Sequence, residues 1–170
     1  MSRTSLREFQ SRLAQRLSAA QTGQSPSRWL AVIAGQRHLL LPLEQAGEIS
    51  PAQPPTPLPH AQPWFLGLVN LRGQLCGAVH LGQFLGEPPQ AVGPRARLVQ
   101  FASDLGINGA LVVDQLVGLR GTDQLEPIAG EASGHPQPGI GASYRDSDQE
   151  TWQVLDLAAL AESEAFLKVV

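Results

Sequence analysis

The 170-residue sequence contains a single cysteine, Cys76, which excludes a disulfide framework and a metal site built from paired cysteines. Its 15 acidic residues outnumber its 12 basic ones, and this balance argues against a nucleic-acid partner, which usually requires a basic surface. No apolar run reaches the roughly 18 residues of a membrane-spanning helix. The N-terminus also lacks the apolar core of a secretory signal. We therefore expect a cytoplasmic protein without direct membrane insertion.

The sequence also lacks the residue constellations that enzymes and metal sites require. No G-x-S-x-G nucleophile motif is present, and GIGAS lacks the third glycine of a dinucleotide-binding loop. Cys76 and His80 would lie about 13 Å apart on a strand, which is beyond hydrogen-bond reach. The four histidines are scattered, without the i, i+4 spacing of a helical metal site: His38, His60, His80 and His135. We expect no catalytic residue, no metal site and no cofactor.

Short apolar segments separated by glycine and proline dominate the chain from residue 28 onward. Strands at intervals of about 8 to 12 residues are typical of sandwiches and small barrels, so the predicted fold is mainly β. Gly35-Gln36 and Arg72-Gly73 are the predicted turns of two hairpins. Residues 51–63 hold six prolines and predict an extended surface loop, whose PxxP spacing leaves open a ligand for SH3-type domains. Further predicted strands are QAGEIS, ARLVQFAS, INGALVVDQLVGL, GIGASYRD and ETWQVLDL.

Both ends of the chain carry helical patterns. At the C-terminus, Asp156 is the predicted N-cap of a helix whose apolar face holds Leu157, Leu160, Ala161 and either Phe166 or Leu167. Residues 1–27 are predicted as an amphipathic helix followed by the linker TGQSPS, which leaves 28–168 as the main domain. The helix would dock on its own domain or on a partner; a transit peptide or a membrane-surface helix is the alternative. Its apolar stripe is Leu6, Phe9, Leu13, Leu17 and Ala20, flanked by Arg3, Arg7, Arg12 and Arg16.

Arg72 is the one full charge in the otherwise apolar and glycine-rich stretch of residues 65–86. In one interpretation it is a hairpin-tip residue whose guanidinium lies in water or pairs with a nearby carboxylate. In the other it is an interface anchor, since arginine packs its stem on apolar surface while its planar fork binds carboxylates or carbonyls. Spacing alone does not separate these interpretations.

The stretch LGLVNLRGQLCGAVHLGQFLG resembles the signature of the CheW family of chemotaxis coupling proteins. That signature is a glycine, an NLRG turn, a strand ending in a DL-type dipeptide and a short helix. RWLAVIAGQRHLLLPLEQAGEI is similar to the family's opening hairpin and glutamate–isoleucine strand. INGALVVDQLVGL is similar to its VVD strand, and TWQVLDLAAL to its closing strand and helix. The resemblance covers about residues 28–168, and the N-terminal helix and overall size resemble the PilI-like branch, which serves type IV pilus (twitching) signalling.

The resemblance implies two intertwined five-stranded SH3-like β-barrels with an N-terminal amphipathic helix and a C-terminal helix. It also implies an adaptor without catalysis, located in the cytoplasm at membrane-anchored receptor arrays. Such an adaptor binds the cytoplasmic tip of a methyl-accepting chemoreceptor and the CheW-like regulatory domain of a CheA-type histidine kinase. The family's functional positions carry over to Glu48, Asn70, Arg72 and Gly73, and the family places the glutamate on a neighbouring strand. Arg72 thereby becomes a candidate anchor on a rigid hairpin.

The chain departs from the family pattern in and after the strand that follows NLRG. The family usually has proline and aspartate where this chain has Gly77 and His80, and arginine where it has Gly82. These differences bear on the receptor contact of this strand. An autonomous small β-barrel that binds a peptide or small ligand is the alternative function.

Overall fold

The computed structural model describes residues 28–129 and 137–170, and it is mainly β, as predicted. The predicted N-terminal helix and His135 lie outside the described residues. Three short helices are α1 (Leu81–Phe84), α2 (Leu157–Glu162) and α3 (Glu164–Leu167). The strands are β1 (Arg28–Ala34), β2 (Arg37–Pro42), β3 (Ala46–Pro51), β4 (Phe65–Leu71), β5 (Gln74–His80), β6 (Arg97–Phe101), β7 (Gly109–Val113), β8 (Gln115–Gly121), β9 (Glu126–Pro127), β10 (Ile140–Arg145) and β11 (Thr151–Leu155).

The strands form two sheets through which the chain passes in three stages. One sheet has the order β8-β1-β2-β11-β10-β9, in which β9 has only two residues, and the other has the order β3-β6-β7-β5-β4. From Arg28 onward, the chain starts in the first sheet, builds the whole second sheet from β3 to β7, and then returns to complete the first. The two lobes are therefore intertwined. The predicted hairpins β1–β2 and β4–β5 are both present.

The segment INGALVVDQLVGL, predicted as one strand, is two strands in different sheets, and that prediction is wrong. The chain leaves the five-stranded sheet after β7 and enters the six-stranded sheet as β8, and Asp114 lies between the two strands. Asp114 is held at this crossing because its Oδ2 accepts a hydrogen bond from the Gly35 N–H at 2.6 Å. Its own N–H donates to the Ile33 carbonyl at 2.9 Å. A run of apolar residues indicates that a segment is buried, but it does not indicate which sheet the segment joins.

A large apolar core lies between the two sheets, and each sheet encloses a smaller one. Alternate residues of β7 show the division, since Leu111 and Val113 pack in the central core while Ala110 and Val112 pack in the five-stranded lobe. Trp152 is buried in the core of the six-stranded lobe. This arrangement follows from the two-residue period of strands, which sends neighbouring side chains to opposite faces.

The C-terminal residues pack in the core between the two lobes and connect them. Asp156 caps α2, as predicted, with its carboxylate accepting the Ala159 N–H at 3.1 Å. The helical segment breaks at Ser163, and α3 then buries Phe166 while Leu167 stays exposed. The Phe166 ring lies among three aromatic rings at centroid distances of 5.3 to 6.2 Å: Trp64, Phe84 and Phe101.

Candidate protein-binding site at the Arg72 hairpin

Arg72 and Gly73 form the two-residue turn between β4 and β5. Both have positive φ, 51° and 83°, which is the pattern of the type I′ turns that match the twist of a hairpin. Asn70 closes the turn, because its Oδ1 accepts a hydrogen bond from the Gly73 N–H at 2.7 Å. Glycine adopts this conformation without strain, whereas arginine at positive φ costs about 1 kcal/mol. The turn itself therefore gains nothing from having arginine at position 72.

Side chains from neighbouring segments hold the hairpin in place. Gln53, in the proline-rich loop, donates from Nε2 to the Asn70 carbonyl at 3.2 Å. On the other strand, Gln74 donates to Asn108 Oδ1 at 2.9 Å. These contacts fix both sides of the turn, so the base of the Arg72 side chain has a defined position.

Glu48 lies in a β-bulge of the edge strand β3. Gly47 and Glu48 together face the single residue Gln100 of β6, between the pairs Ala46–Phe101 and Ile49–Val99. A side chain at position 47 would come within 2.9 Å of the Phe101 carbonyl oxygen, so only glycine fits there without a backbone shift. The bulge leaves Glu48 exposed at the rim of the five-stranded lobe.

Arg72 and Glu48 form an ion pair, with Nε of the arginine 3.0 Å from Oε1 of the glutamate. The expectation of neighbouring strands is wrong in detail, because β3 and β4 are the two outer strands of the five-stranded sheet. In a flat sheet they would lie about 19 Å apart. The contact requires the sheet to curl, and two 2.8 Å backbone hydrogen bonds between Thr56 and Leu68 also join the segment after β3 to β4.

The ion pair leaves most of the arginine accessible. The Arg72 side chain is 83% exposed and that of Glu48 is 37% exposed, so solvent screens their attraction. The terminal Nη groups of the guanidinium are thus open to a partner, while Nε is oriented by Glu48. This geometry matches the interpretation of Arg72 as a hairpin-tip residue that pairs with a nearby carboxylate, and the role of an interface anchor stays a prediction.

Leu75 is an apolar residue of this surface that sequence reasoning missed. It lies opposite Asn70 in the hairpin and is 58% exposed. The two-residue period of β5 could have revealed it, because Cys76 and Ala78 point into the core of the five-stranded lobe and Leu75 must point away. We define the Arg72 surface as Glu48, Asn70, Arg72, Gly73 and Leu75.

A concave region lies beside the proline-rich loop of the five-stranded lobe. This apolar groove of about 300 Å³ runs between the proline-rich loop and the loop before β6, and its lining includes Leu66, Ala78 and Val112. No titratable side chain lines it. In residues 28–129 and 137–170, no three histidine, cysteine, aspartate or glutamate side chains cluster as metal ligands would. Nor is any helix of these ranges long and apolar enough to cross a membrane.

Comparison with known proteins identifies the family. The family model described as CheW-like domain matches residues 28–165. The chain belongs to the CheW family. It is 28% identical over 165 residues to protein PilI of Pseudomonas aeruginosa, covering 93% of this chain and 88% of that protein. Protein FrzA of Myxococcus xanthus is 26% identical over 137 residues, covering 76% of this chain and 81% of FrzA.

A solved structure shares the fold of this CheW-family protein. The crystal structure of the scaffolding protein TtCheW from Thermoanaerobacter tengcongensis superimposes with a TM-score of 0.68. The match covers 83% of this chain and 96% of TtCheW at 16% sequence identity. The expected CheW-like architecture is therefore confirmed.

The departures from the CheW pattern concern packing within the protein. A side chain at Gly77 would come within 2.9 Å of the Phe65 ring, which occupies that space instead. His80 is buried and caps α1, with Nδ1 accepting the Gln83 N–H at 3.3 Å. Gly82 packs against the β1–β2 turn, where a Cβ would lie 3.3 Å from the Gly35 nitrogen. These three residues pack within the protein and do not form part of the Arg72 surface.

Cys76 is buried in the core of the five-stranded lobe and makes no contact suited to catalysis. Burial raises the pKa of its thiol, and the hydrogen bond that Gln100 Nε2 donates to Sγ at 3.6 Å offsets part of that rise. A thiol with a raised pKa is a weak nucleophile at neutral pH. Cys76 is therefore a buried core residue.

Proposed function

We propose that this CheW-family protein is a non-catalytic adaptor that couples a chemoreceptor to a CheA-type histidine kinase. Its partners are the cytoplasmic tip of the receptor and the CheW-like regulatory domain of the kinase. The similarity to PilI favours type IV pilus (twitching) signalling over flagellar chemotaxis. The protein acts in the cytoplasm, at membrane-anchored receptor arrays.

The observation that carries the proposal is the presentation of Arg72 on a fixed hairpin tip. Its guanidinium is mostly exposed, and its Nε is held by Glu48. A side chain already oriented loses less conformational entropy when a partner binds. The remaining N–H groups of the planar fork can donate to a carboxylate or to backbone carbonyls.

The cost of an arginine at this turn supports the same conclusion. A type I′ turn prefers asparagine or glycine at both central positions, and Arg72 occupies one of them with φ of 51°. The exposed ion pair with Glu48 contributes at most about 1 kcal/mol, which only balances the backbone strain. Partner binding explains the arginine better than stability does.

Leu75 adds an apolar contact beside the charged one. An exposed leucine next to an oriented arginine matches the composition of binding hot spots only in part, since arginine is enriched there and leucine is not. Its role is to exclude water around the guanidinium, which strengthens the hydrogen bonds that Arg72 makes to the partner.

A second candidate function rests on the apolar groove of the same lobe. Its volume of about 300 Å³ is at the lower limit of small-molecule sites. A small uncharged ligand would suit its lining, which contains prolines, alanines and valines but no ionisable group. This observation favours a binding module over an enzyme as the alternative.

Direct binding measurements test the adaptor proposal. Purified receptor tip and kinase regulatory domain are titrated separately into the wild-type protein and into Arg72→Ala and Glu48→Ala variants. Arg145→Ala is the matched control, because Arg145 is also exposed but lies on the six-stranded sheet. Loss of binding to either partner in Arg72→Ala, with normal binding by the control, is the expected result. Normal binding of both partners by Arg72→Ala would reject the role of this surface.

A further inference from the structure

A row of core leucines in the six-stranded sheet ends in one that is largely uncovered. Leu30 of β1 pairs with Leu41 of β2 on one side and with Leu119 of β8 on the other. Directly paired residues point to the same face of a sheet, and Leu30 and Leu41 are buried in the central core. Leu119 continues this row but is 53% exposed. The core therefore stops one residue short of the sheet edge.

The chain enters the domain beside this leucine. Arg28 pairs with Gly121, two residues from Leu119 along β8 and so about 7 Å away. β8 is an outer strand of its sheet, and among the described residues it pairs only with β1. The six-residue linker TGQSPS before Arg28 can span up to about 20 Å. Residues 1–21 can therefore reach Leu119 without any movement of the domain.

The net charge of residues 1–27 is opposite in sign to that of the rest of the chain. They contain four arginines and one glutamate, whereas the rest of the chain contains eight basic and 14 acidic residues. One of those acidic residues, Asp123, is exposed just beyond the end of β8. Opposite charge attracts the segment to the domain, and its apolar stripe supplies the contact that Leu119 lacks.

We infer that residues 1–27 dock on the β8 edge of their own domain, with the stripe of Leu6, Phe9, Leu13 and Leu17 covering Leu119. The covalent link makes this an intramolecular contact with an effective concentration in the millimolar range. A weak apolar contact is therefore sufficient to keep the segment docked. The inference concerns the opposite lobe from the Arg72 surface and stands independently of the proposed adaptor function.

Paramagnetic relaxation in the full-length protein tests the docking. A nitroxide label is attached at Gln15→Cys, on the polar side of the predicted helix, while buried Cys76 is checked for lack of labelling in the wild-type chain. Backbone amides of β8 should lose most of their signal intensity, and those of the β4–β5 hairpin should keep theirs. Broadening confined to another surface, or no broadening of the domain, would overturn the inference.

Substitutions on each side of the contact provide the controls. Leu119→Asp should release the segment and restore the β8 signals, whereas Leu75→Asp, an exposed leucine on the other sheet, should leave the broadening unchanged. Leu13→Asp should also release residues 1–27 from β8, and it leaves residues 28–170 unchanged. It therefore serves as the second variant if Leu119→Asp does not fold. Broadening of β8 that persists in Leu13→Asp contradicts the inference. Broadening seen only when labelled and isotope-enriched chains are mixed shows a second copy on β8, and it contradicts the inference too.

Discussion

Replacing Arg72 by asparagine separates the stability of the hairpin from its binding role. Asparagine tolerates positive φ and suits a type I′ turn, so Arg72→Asn should relieve up to about 1 kcal/mol of backbone strain. The variant also loses the ion pair with Glu48, which is worth at most about 1 kcal/mol because both side chains are solvent-exposed. Because these two effects oppose each other, the free energy of unfolding should change by no more than about 1 kcal/mol, a shift in Tm of roughly 2 to 4 °C.

Partner binding should respond very differently to the same substitution. Loss of an interface arginine of hot-spot strength weakens binding by about 2 kcal/mol, which is roughly thirtyfold in Kd. Arg72→Lys should recover only part of this affinity, because lysine keeps the charge but lacks the planar fork. Calorimetric titration with each partner, alongside thermal melting of each variant, measures both effects.

A large loss of stability on truncation of Arg72 would refute this reasoning. If truncation of Arg72 lowered the free energy of unfolding by about 3 kcal/mol or more, the guanidinium would be a buried pair partner and not a surface anchor. Unchanged affinity for both partners in Arg72→Asn would equally contradict the proposed surface. Gly73→Ala is the matched control for the turn: its φ of 83° disfavours alanine, so it should destabilise the hairpin without removing the guanidinium.

Phe166→Ala should lower the free energy of unfolding by about 3 to 5 kcal/mol in denaturant titrations, because it removes a ring from a buried aromatic cluster. Leu167→Ala, at the exposed neighbouring position, should change the free energy of unfolding by less than about 0.5 kcal/mol. Equal losses of stability in the two variants would contradict the role of the Phe166 cluster in holding the C-terminal residues to the domain. Burial raises the pKa of Asp146, but this rise is outweighed by hydrogen bonds from the Trp152 indole and from the N–H groups of Glu150 and Asp148, together with the charge of Arg120. The pKa of Asp146 is therefore lower than that of a free aspartate. A carboxyl group whose pKa is lower in the folded state than in the unfolded state stabilises the fold at pH values above the unfolded-state pKa. That stabilisation is lost as the pH falls through the folded-state pKa. The difference in free energy of unfolding between wild type and Asp146→Asn should therefore narrow on acidification from pH ~6 to ~3. A gap that is constant with pH would contradict this. Cys76 should react with a thiol reagent only at the rate of unfolding, and immediate reaction in native buffer would disprove its burial.

Local sequence patterns predicted the hairpins because their causes lie within a few residues. The turn at Arg72-Gly73 follows from one glycine, one asparagine and two flanking apolar strands, and all of these are adjacent in sequence. The cap at Asp156 is likewise local, since its carboxylate bonds to an N–H three residues on. The role of the Arg72 surface, and the division of the chain near residue 27, stay predictions.

Long-range pairing decided what the patterns left open. INGALVVDQLVGL reads as one apolar segment, yet its halves belong to different sheets because the Asp114 carboxylate binds the Gly35 N–H, 79 residues away in sequence. Leu30 and Leu119 are both leucines in strands, but only their positions within the sheet make one buried and the other exposed. Such differences depend on which strands become edges.

By itself, the sequence determined most of the strands, the hairpin turns, the mainly β class and the resemblance to the CheW family, since each depends on patterns within short segments of the chain. Only the tertiary structure brought Glu48 to Arg72, because that contact requires a five-stranded sheet to curl until its outer strands meet. The physical reason is that strand propensity is a property of short segments, whereas curvature and closure arise from pairing and core packing across the whole lobe.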